Sequence, residues 1–151
     1  MVDIDPTFHL VRKKEPKHSE RYKEYRRKWK ENPEKDVVED FPIHIDFETI
    51  TSCNLKCFMC YQSTDPPKPM KMKTELFKKV IDESSKKGLC SIKLQFRGEP
   101  LLDSRIPDFV KYAKDKGIIE VMFNTNANLL TEEKARALIE AGLDKIICSI
   151  D

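Results

Sequence analysis

Three of the five cysteines lie close together in one stretch of the sequence, Cys53-Asn-Leu-Lys-Cys57-Phe-Met-Cys60. Thiolates are preferred ligands of zinc and of iron–sulfur centres, and three of them this close can converge on one inorganic centre. Most small zinc sites use two C-x-x-C pairs, and this chain has no second pair. Three thiolates on a cluster of four irons leave one iron without a protein ligand. We therefore expect the function to lie at that open iron.

Two other interpretations of these cysteines stay open from the residues alone. A structural zinc site needs a fourth ligand, and His44 is a candidate for it. The i, i+4, i+7 spacing also suits one face of a buried helix, because free cysteine is often buried. Residues 49–52 and Asn54 do not favour a helix at this point. Cys90 falls at the start of a predicted strand and Cys148 falls inside one, and we expect both to be buried.

The elements that must position the cysteine loop follow from the periodicity of apolar residues and from glycines that end helices. Thr74 and Thr131 are expected to cap the helices that follow them. The strands are predicted at residues 43–47, 92–96, 118–123 and 145–150, and the helices at residues 74–87, 104–116 and 131–141. Repeated strand–helix units of roughly 30 residues predict an α/β fold with parallel strands and helices packed outside them.

Polar or metal-binding residues follow each of the four predicted strands. The cysteine loop follows the first strand, Gly98-Glu99-Pro100 the second and Asn124-Thr125-Asn126 the third, and Ser149 ends the fourth. Ligands bind at the C-terminal ends of the strands in parallel sheets and barrels. The sequence therefore predicts one site at this end of the sheet.

Residues 1–41 differ from the rest and are predicted to form a polar, basic N-terminal extension, with the main domain at residues 42–151. A helix is expected from Glu20 to Lys30, with Tyr22, Tyr25 and Trp29 on one face and Pro33 ending the segment. We expect this aromatic stripe to dock on the domain. A basic contact to nucleic acid or to another subunit is the alternative.

Composition excludes several classes of function. Lys+Arg 28 and Asp+Glu 26 give a net charge of +2, which argues against a general nucleic-acid or membrane binder. No apolar run approaches the roughly 20 residues that span a bilayer. Without a visible signal sequence, clustered cysteines indicate a reducing, cytoplasmic location. The chain stops at Asp151, where the last strand would be an unprotected edge, so we expect a fragment or the first portion of a longer protein.

The Cys53-x-x-x-Cys57-x-x-Cys60 loop after strand one, with Gly-Glu-Pro after strand two, resembles the radical S-adenosylmethionine (radical SAM) superfamily over residues 43–151. The resemblance implies a partial (βα)6 barrel, of which the chain would supply strands one to four. Its Cys-Asn-Leu-Lys-Cys-x-Met-Cys form is most similar to the SPASM-containing branch. The resemblance implies that each cysteine binds one iron of a [4Fe–4S] cluster and that the open iron binds S-adenosylmethionine. Reductive cleavage of S-adenosylmethionine then gives a 5′-deoxyadenosyl radical, which abstracts a substrate hydrogen.

The resemblance also implies which residues contact S-adenosylmethionine. Glu99 matches the carboxylate that receives the methionyl ammonium, whereas Arg97 and Ala127 stand where the family motifs have glycine. The implied contacts are Met59, Gly98, Glu99, Thr125, Asn126 and Ser149; a substrate-activating catalytic residue is not identified.

Partners and competing functions follow from the same resemblance. It implies an electron donor such as a flavodoxin or ferredoxin, and a peptide or small-molecule substrate; nucleic acid and membrane are not expected as partners. The competing hypothesis is a non-catalytic metal-binding module that holds zinc or an electron-transfer iron–sulfur cluster. A third is that the truncated chain is inactive although the longer protein is an enzyme.

Overall fold

A mixed sheet with helices packed on it forms the body of the protein. The computed structural model describes residues 19–150, and for residues 3–4 and 9–11 it describes backbone strands. The strands are β1 (Asp3–Ile4), β2 (His9–Val11), β3 (His44–Asp46), β4 (Ser91–Lys93), β5 (Glu120–Thr125) and β6 (Lys145–Cys148). The helices are α1 (Glu20–Glu34), α2 (Thr74–Ser85), α3 (Ile106–Asp115) and α4 (Glu132–Ala141). Short 3-10 turns lie at Tyr61–Ser63 and Pro100–Leu102.

The four strands predicted from periodicity are parallel neighbours in the order β6-β5-β4-β3. Each is joined to the next by a helix, so the predicted α/β class and the first four strands of a partial barrel are confirmed. Their C-terminal ends meet at one edge of the sheet. Strands β3, β4 and β6 are shorter than predicted. Strand β5 begins and ends two residues later than predicted, so Asn124 and Thr125, predicted as loop residues, belong to the strand.

The edge beside β6 is occupied, contrary to the expectation of an unprotected last strand. Strand β2 pairs antiparallel with β6, with Leu10 opposite Ile146, and β1 pairs antiparallel with β2. The predicted N-terminal extension thus supplies two strands to the sheet. Sequence reasoning missed them because they are two and three residues long and too short to show a period.

The core lies between the parallel strands and helices α2, α3 and α4. Side chains alternate between the faces of a strand, so Val121 and Phe123 point to the helices while Glu120 and Met122 point away. Phe77 of α2 stacks on Phe109 of α3 with ring centroids 4.3 Å apart. The helix-facing side of the sheet is therefore apolar apart from Thr125 at the end of β5, and the opposite face carries most of the polar strand residues.

The predicted helix-capping role is confirmed for Thr131 and is wrong for Thr74. Thr131 caps α4, and its Oγ1 accepts a hydrogen bond from Lys134 N at 3.3 Å. Lys73, rather than Thr74, is the capping position of α2. Thr74 is already helical, and its hydroxyl accepts a hydrogen bond from the Arg105 guanidinium at 3.1 Å.

Helix α1 docks its aromatic stripe across the N-terminal ends of β3 to β5. Tyr25 is buried and its hydroxyl donates to Glu120 Oε2 at 2.7 Å. The Trp29 ring lies edge-on to His44 with centroids 5.1 Å apart. Pro33 lies inside the helix and does not end it, since α1 continues to Glu34. The predicted aromatic stripe therefore covers the polar face of the sheet at the N-terminal ends of its strands.

No helix among the described residues has the length and apolar content required to cross a membrane.

The Tyr25–Glu120 bond provides a test of how α1 is held. Tyr25→Phe leaves the Glu120 carboxylate without its phenol donor and should lower the free energy of unfolding by about 1–2 kcal/mol. Arg27→Gln, which changes an exposed residue of the same helix, should alter it by less than about 0.5 kcal/mol. Urea denaturation followed by circular dichroism measures both; equal effects would show that Tyr25 contributes no specific bond.

Candidate cofactor site

The buried carboxylate of Glu99 joins the loops that follow β4 and β5. Only 3% of this residue is exposed. Its Oε1 accepts hydrogen bonds from Thr125 Oγ1 at 2.6 Å and from Leu101 N at 3.0 Å. Its Oε2 accepts from Asn126 N at 2.9 Å. An ionised carboxylate offers about four acceptor positions, so one remains on Oε2.

The loop after β4 also lies directly against the start of the cysteine loop. Glu99 N donates to Ser52 O at 2.8 Å. A Cβ added at Gly98 would overlap the Ile50 carbonyl and lie 2.9 Å from Ser52 O. Glycine is required here by the close approach of two backbones. The predicted site residue Gly98 is thus explained by packing as well as by the resemblance.

The cysteine loop is tied to this arrangement through Asn126. The Asn126 side-chain amide lies 3.8 Å from Cys53 Sγ and donates to Asn54 Oδ1 at 2.9 Å. Leu55 N donates to Cys53 Sγ at 3.5 Å. Ser63 Oγ donates to the Cys57 carbonyl at 2.6 Å. Two donors therefore point at the sulfur of Cys53, which suits a thiolate.

Gln62 links the cysteine loop to the loop after β4, and sequence reasoning missed it. Its side-chain amide donates to the carbonyls of Thr51 at 3.2 Å and Arg97 at 3.0 Å. The sequence around a single glutamine after a cysteine motif does not predict this role, because both partners are backbone carbonyls that only folding brings close to it. This residue fixes the spacing of two loops.

The two departures from the family glycines have different structural outcomes. Arg97 needs no unusual backbone; its side chain reaches Tyr61 OH at 3.0 Å and its N donates to Glu48 Oε1 at 3.0 Å. Ala127 has φ 61°, the left-handed conformation that glycine adopts without cost. The loop after β5 therefore keeps the glycine geometry with an alanine.

The predicted contacts differ in how closely they join the network. Gly98, Glu99, Thr125 and Asn126 are linked to Cys53, as described above. Ser149 N donates to Thr125 O at 2.9 Å, which places Ser149 at the same edge. Met59 lies on the cysteine loop with 61% of its surface exposed. Asn124 Oδ1 is buried at this edge without a hydrogen-bond partner among the described residues, so it is available to a donor of a bound ligand.

The donor set fits an iron–sulfur cluster better than a single zinc ion. Within residues 19–150, no three His, Cys, Asp or Glu side chains are grouped so as to hold one metal ion. His44, the candidate fourth zinc ligand, has both ring nitrogens bonded, to Ser91 Oγ at 2.7 Å and Asp46 Oδ1 at 2.9 Å.

The other two cysteines are half-buried rather than fully buried as predicted. Burial raises the pKa of the Cys90 thiol. Burial, and then the negative charge of Glu99, raise the pKa of the Cys148 thiol. Both therefore favour the protonated form, unlike a metal-bound thiolate.

The hydrogen bonds of Glu99 predict a large effect of a small change. In Glu99→Gln, one of the two side-chain oxygens becomes an NH2 group that faces an existing donor, so the free energy of unfolding should fall by about 2–3 kcal/mol. Glu83→Gln, on the exposed side of α2, should change it by less than about 0.5 kcal/mol. Denaturant unfolding of the cluster-free chain measures both; a neutral Glu99→Gln would contradict the proposed linking role.

The close approach at Gly98 is tested by a pair of alanine variants. Gly98→Ala should destabilise the chain by about 3 kcal/mol, because the Ile50 carbonyl must move. Gly88 has φ 91° and no atom within 4 Å of an added Cβ, so Gly88→Ala should cost only the left-handed backbone term of about 1–2 kcal/mol. Thermal unfolding compares them; a Gly98→Ala cost no larger than that of Gly88→Ala would contradict the steric account.

Comparison with known proteins shows which family this sequence matches. The sequence matches the Radical SAM superfamily over residues 47–151. It is 36% identical over 100 residues to the "Probable GTP 3',8-cyclase" of Methanococcus maripaludis, covering 66% of this chain and 33% of that protein. It is 37% identical over 100 residues to the "Fe-coproporphyrin III synthase" of Methanosarcina barkeri, covering 66% of this chain and 25% of that protein. The chain thus spans a third or less of these relatives.

A solved structure agrees with the sequence match. The fold resembles BtrN, solved in complex with AdoMet and 2-DOIA, with a TM-score of 0.63 and 28% sequence identity. The superposition covers 71% of this chain and 44% of BtrN. The cofactors that the family implies are a [4Fe–4S] cluster and S-adenosylmethionine, which confirms the expected pair. The family match covers well over half of the chain, together with the cysteine loop and the loops that converge on it, and the chain therefore belongs to the radical SAM superfamily.

Proposed function

We propose that this chain forms the part of a radical SAM enzyme that holds the [4Fe–4S] cluster and S-adenosylmethionine. Cys53, Cys57 and Cys60 supply the three thiolates. The observation that carries the proposal is the hydrogen-bonded path from Glu99 through Asn126 to Cys53. It joins the three loops that such a site needs into one unit.

The residues around the cysteines bind and orient S-adenosylmethionine. The free acceptor position of Glu99 Oε2 receives the methionyl ammonium, a charge-assisted hydrogen bond between opposite charges. Gly98 lets this loop lie against the cysteine loop. Thr125 fixes the Glu99 carboxylate, and Asn126 holds it through its backbone. Ser149 and the backbone of Met59 complete the contacts at the edge of the site.

The reduced cluster, when bound, supplies the electron that cleaves S-adenosylmethionine into methionine and a 5′-deoxyadenosyl radical, which abstracts a substrate hydrogen. This chain's own residues set the conditions. The Leu55 N–H and the Asn126 amide near Cys53 Sγ stabilise negative charge on that sulfur. Hydrogen bonds to cluster ligands are one of the means by which proteins set reduction potential.

The substrate in this proposal is a small molecule or a peptide. The names of the two curated relatives describe reactions on GTP and on a porphyrin, although each matches 100 residues, two thirds of this chain. The shared region therefore accounts for radical formation rather than substrate choice. The electron donor in this proposal is a flavodoxin or ferredoxin, in a reducing, cytoplasmic setting.

Anaerobic reconstitution with iron and sulfide tests the proposal. The wild-type chain should become brown, and dithionite with S-adenosylmethionine should release 5′-deoxyadenosine. The Cys53/Cys57/Cys60→Ala variant should lose the bound iron and the product, because it removes all three thiolates. The matched Cys90/Cys148→Ala variant should keep its iron.

Two results would contradict this assignment. A colourless wild-type chain that binds one zinc would favour the metal-binding module. Iron retained by the triple variant would show that other residues are the ligands.

A further inference from the structure

The polar face of the parallel sheet carries three rows of side chains. Alternation along each strand and the register between strands place one residue of each strand in a row. The lowest row lies at the N-terminal ends of the strands and holds His44, Ser91 and Glu120. The middle row holds Asp46, Lys93, Met122 and Lys145. The ladder continues one step further, and the upper row, nearest the C-terminal ends, holds Glu48, Gln95, Asn124 and Ile147.

The charged groups of the lowest and middle rows are nearly all paired. The lowest row is bonded within itself and to α1, as described above. In the middle row, the Asp46 carboxylate lies 3.1 Å from Lys93 Nζ and 2.9 Å from His44 Nε2. Lys145 is the one charged side chain of these rows that pairs with no described residue. It lies on β6, three strand spacings or roughly 14 Å from the β3 side of the sheet.

The upper row, in contrast, keeps hydrogen-bond acceptors free. Glu48 Oε1 accepts from Arg97 N at 3.0 Å, and its Oε2 has no partner among residues 19–150. Gln95 Nε2 donates to Phe96 O at 2.6 Å, and within the same residues Gln95 Oε1 accepts no hydrogen bond. Asn124 Oδ1 is buried and likewise unpaired there. Buried polar atoms of native proteins are nearly always hydrogen bonded, so this oxygen points to a ligand that donates to it.

The spacing and the charge of the upper row define the ligand that it fits. Glu48 and Asn124 are two strands apart, which separates their backbones by roughly 10 Å. Because both side chains extend over the same face, a molecule about the size of one six-membered ring bridges them. The free atoms of the row are acceptors, and one belongs to a carboxylate, for which a protonated amine is the strongest complementary donor. An anionic group would meet these oxygens with repulsion.

We propose that the upper row binds the substrate and that this substrate is a small polar amine. Its ammonium group donates to Glu48, and hydroxyl or amide N–H groups donate to Gln95 and Asn124. The inference rests on the proposed function, because it names the substrate class of the same site. The row ends at the edge of the sheet where Glu99 and the cysteine loop lie, so a substrate held there lies next to the site of radical formation.

Three related sugars that differ in charge serve as probes: glucosamine, glucose and glucuronate. Ligand-observed NMR titration of the reconstituted chain with S-adenosylmethionine, at a pH that keeps the amine protonated, gives their dissociation constants. Glu48→Gln removes the charge but keeps an acceptor for Arg97 N. Asn124→Leu removes the buried oxygen. Glu83→Gln, on the exposed side of α2, is the matched charge control.

The wild type should bind glucosamine about tenfold more tightly than glucose, and glucuronate most weakly. Glu48→Gln should abolish the difference between glucosamine and glucose, and Asn124→Leu should weaken the binding of both by about tenfold. Glu83→Gln should match the wild type. Thermal unfolding of the ligand-free chains separates binding from a structural role. Asn124→Leu should not lower Tm, because the oxygen that it removes has no partner to lose.

Three results would overturn this inference. The first is a wild-type chain without a preference for glucosamine, which includes a chain that binds none of the probes. The second is an undiminished preference in Glu48→Gln, and the third is a lower Tm of Asn124→Leu. A wild-type chain that holds no iron, or that releases no 5′-deoxyadenosine with dithionite and S-adenosylmethionine, would instead overturn the proposed function.

Discussion

The site depends on one buried carboxylate. Glu99 accepts hydrogen bonds from Thr125, Leu101 and Asn126, and its own N–H bonds to Ser52. Thr125 and Asn126 lie at the end of β5, Ser52 lies in the loop after β3, and Leu101 follows Glu99 itself, so the loops after β3, β4 and β5 are held together at this residue. A buried charge is tolerated because it is almost fully hydrogen bonded. Because these hydrogen bonds use the other acceptor positions of the carboxylate, only one remains for a ligand. A ligand donor can therefore reach Glu99 from one direction only.

The two faces of the sheet have separate roles. The face toward α2, α3 and α4 is closed by stacked aromatic and aliphatic side chains such as Phe77 and Phe109. The other face carries polar residues and is covered by Tyr25 and Trp29 of α1 at the N-terminal ends of the strands. Access remains at the C-terminal ends of the strands, where the cysteine loop lies. The apolar core thus supplies stability while the polar face is left for chemistry.

The amino-acid sequence is sufficient to predict the elements with long-range periodicity and the residues within recognisable motifs. The four parallel strands, the cysteine loop and Gly98-Glu99 belong to this group. Features made by tertiary contact were not predictable: Gln62 binds two carbonyls from distant segments, and Arg105 reaches Thr74. His44 was considered as a metal ligand from its residue type alone, but its ring is held by Ser91 and Asp46. The strands β1 and β2 are too short to produce a pattern.

The pairing of β2 with β6 has a topological consequence. A sheet edge presents one row of N–H and C=O groups and accepts one strand at a time. Strand β2 fills that row in the antiparallel sense, with His9 opposite Ile147. Any further strand added at this edge would need the same row. Strand β2 and a further strand therefore cannot both pair with β6 there.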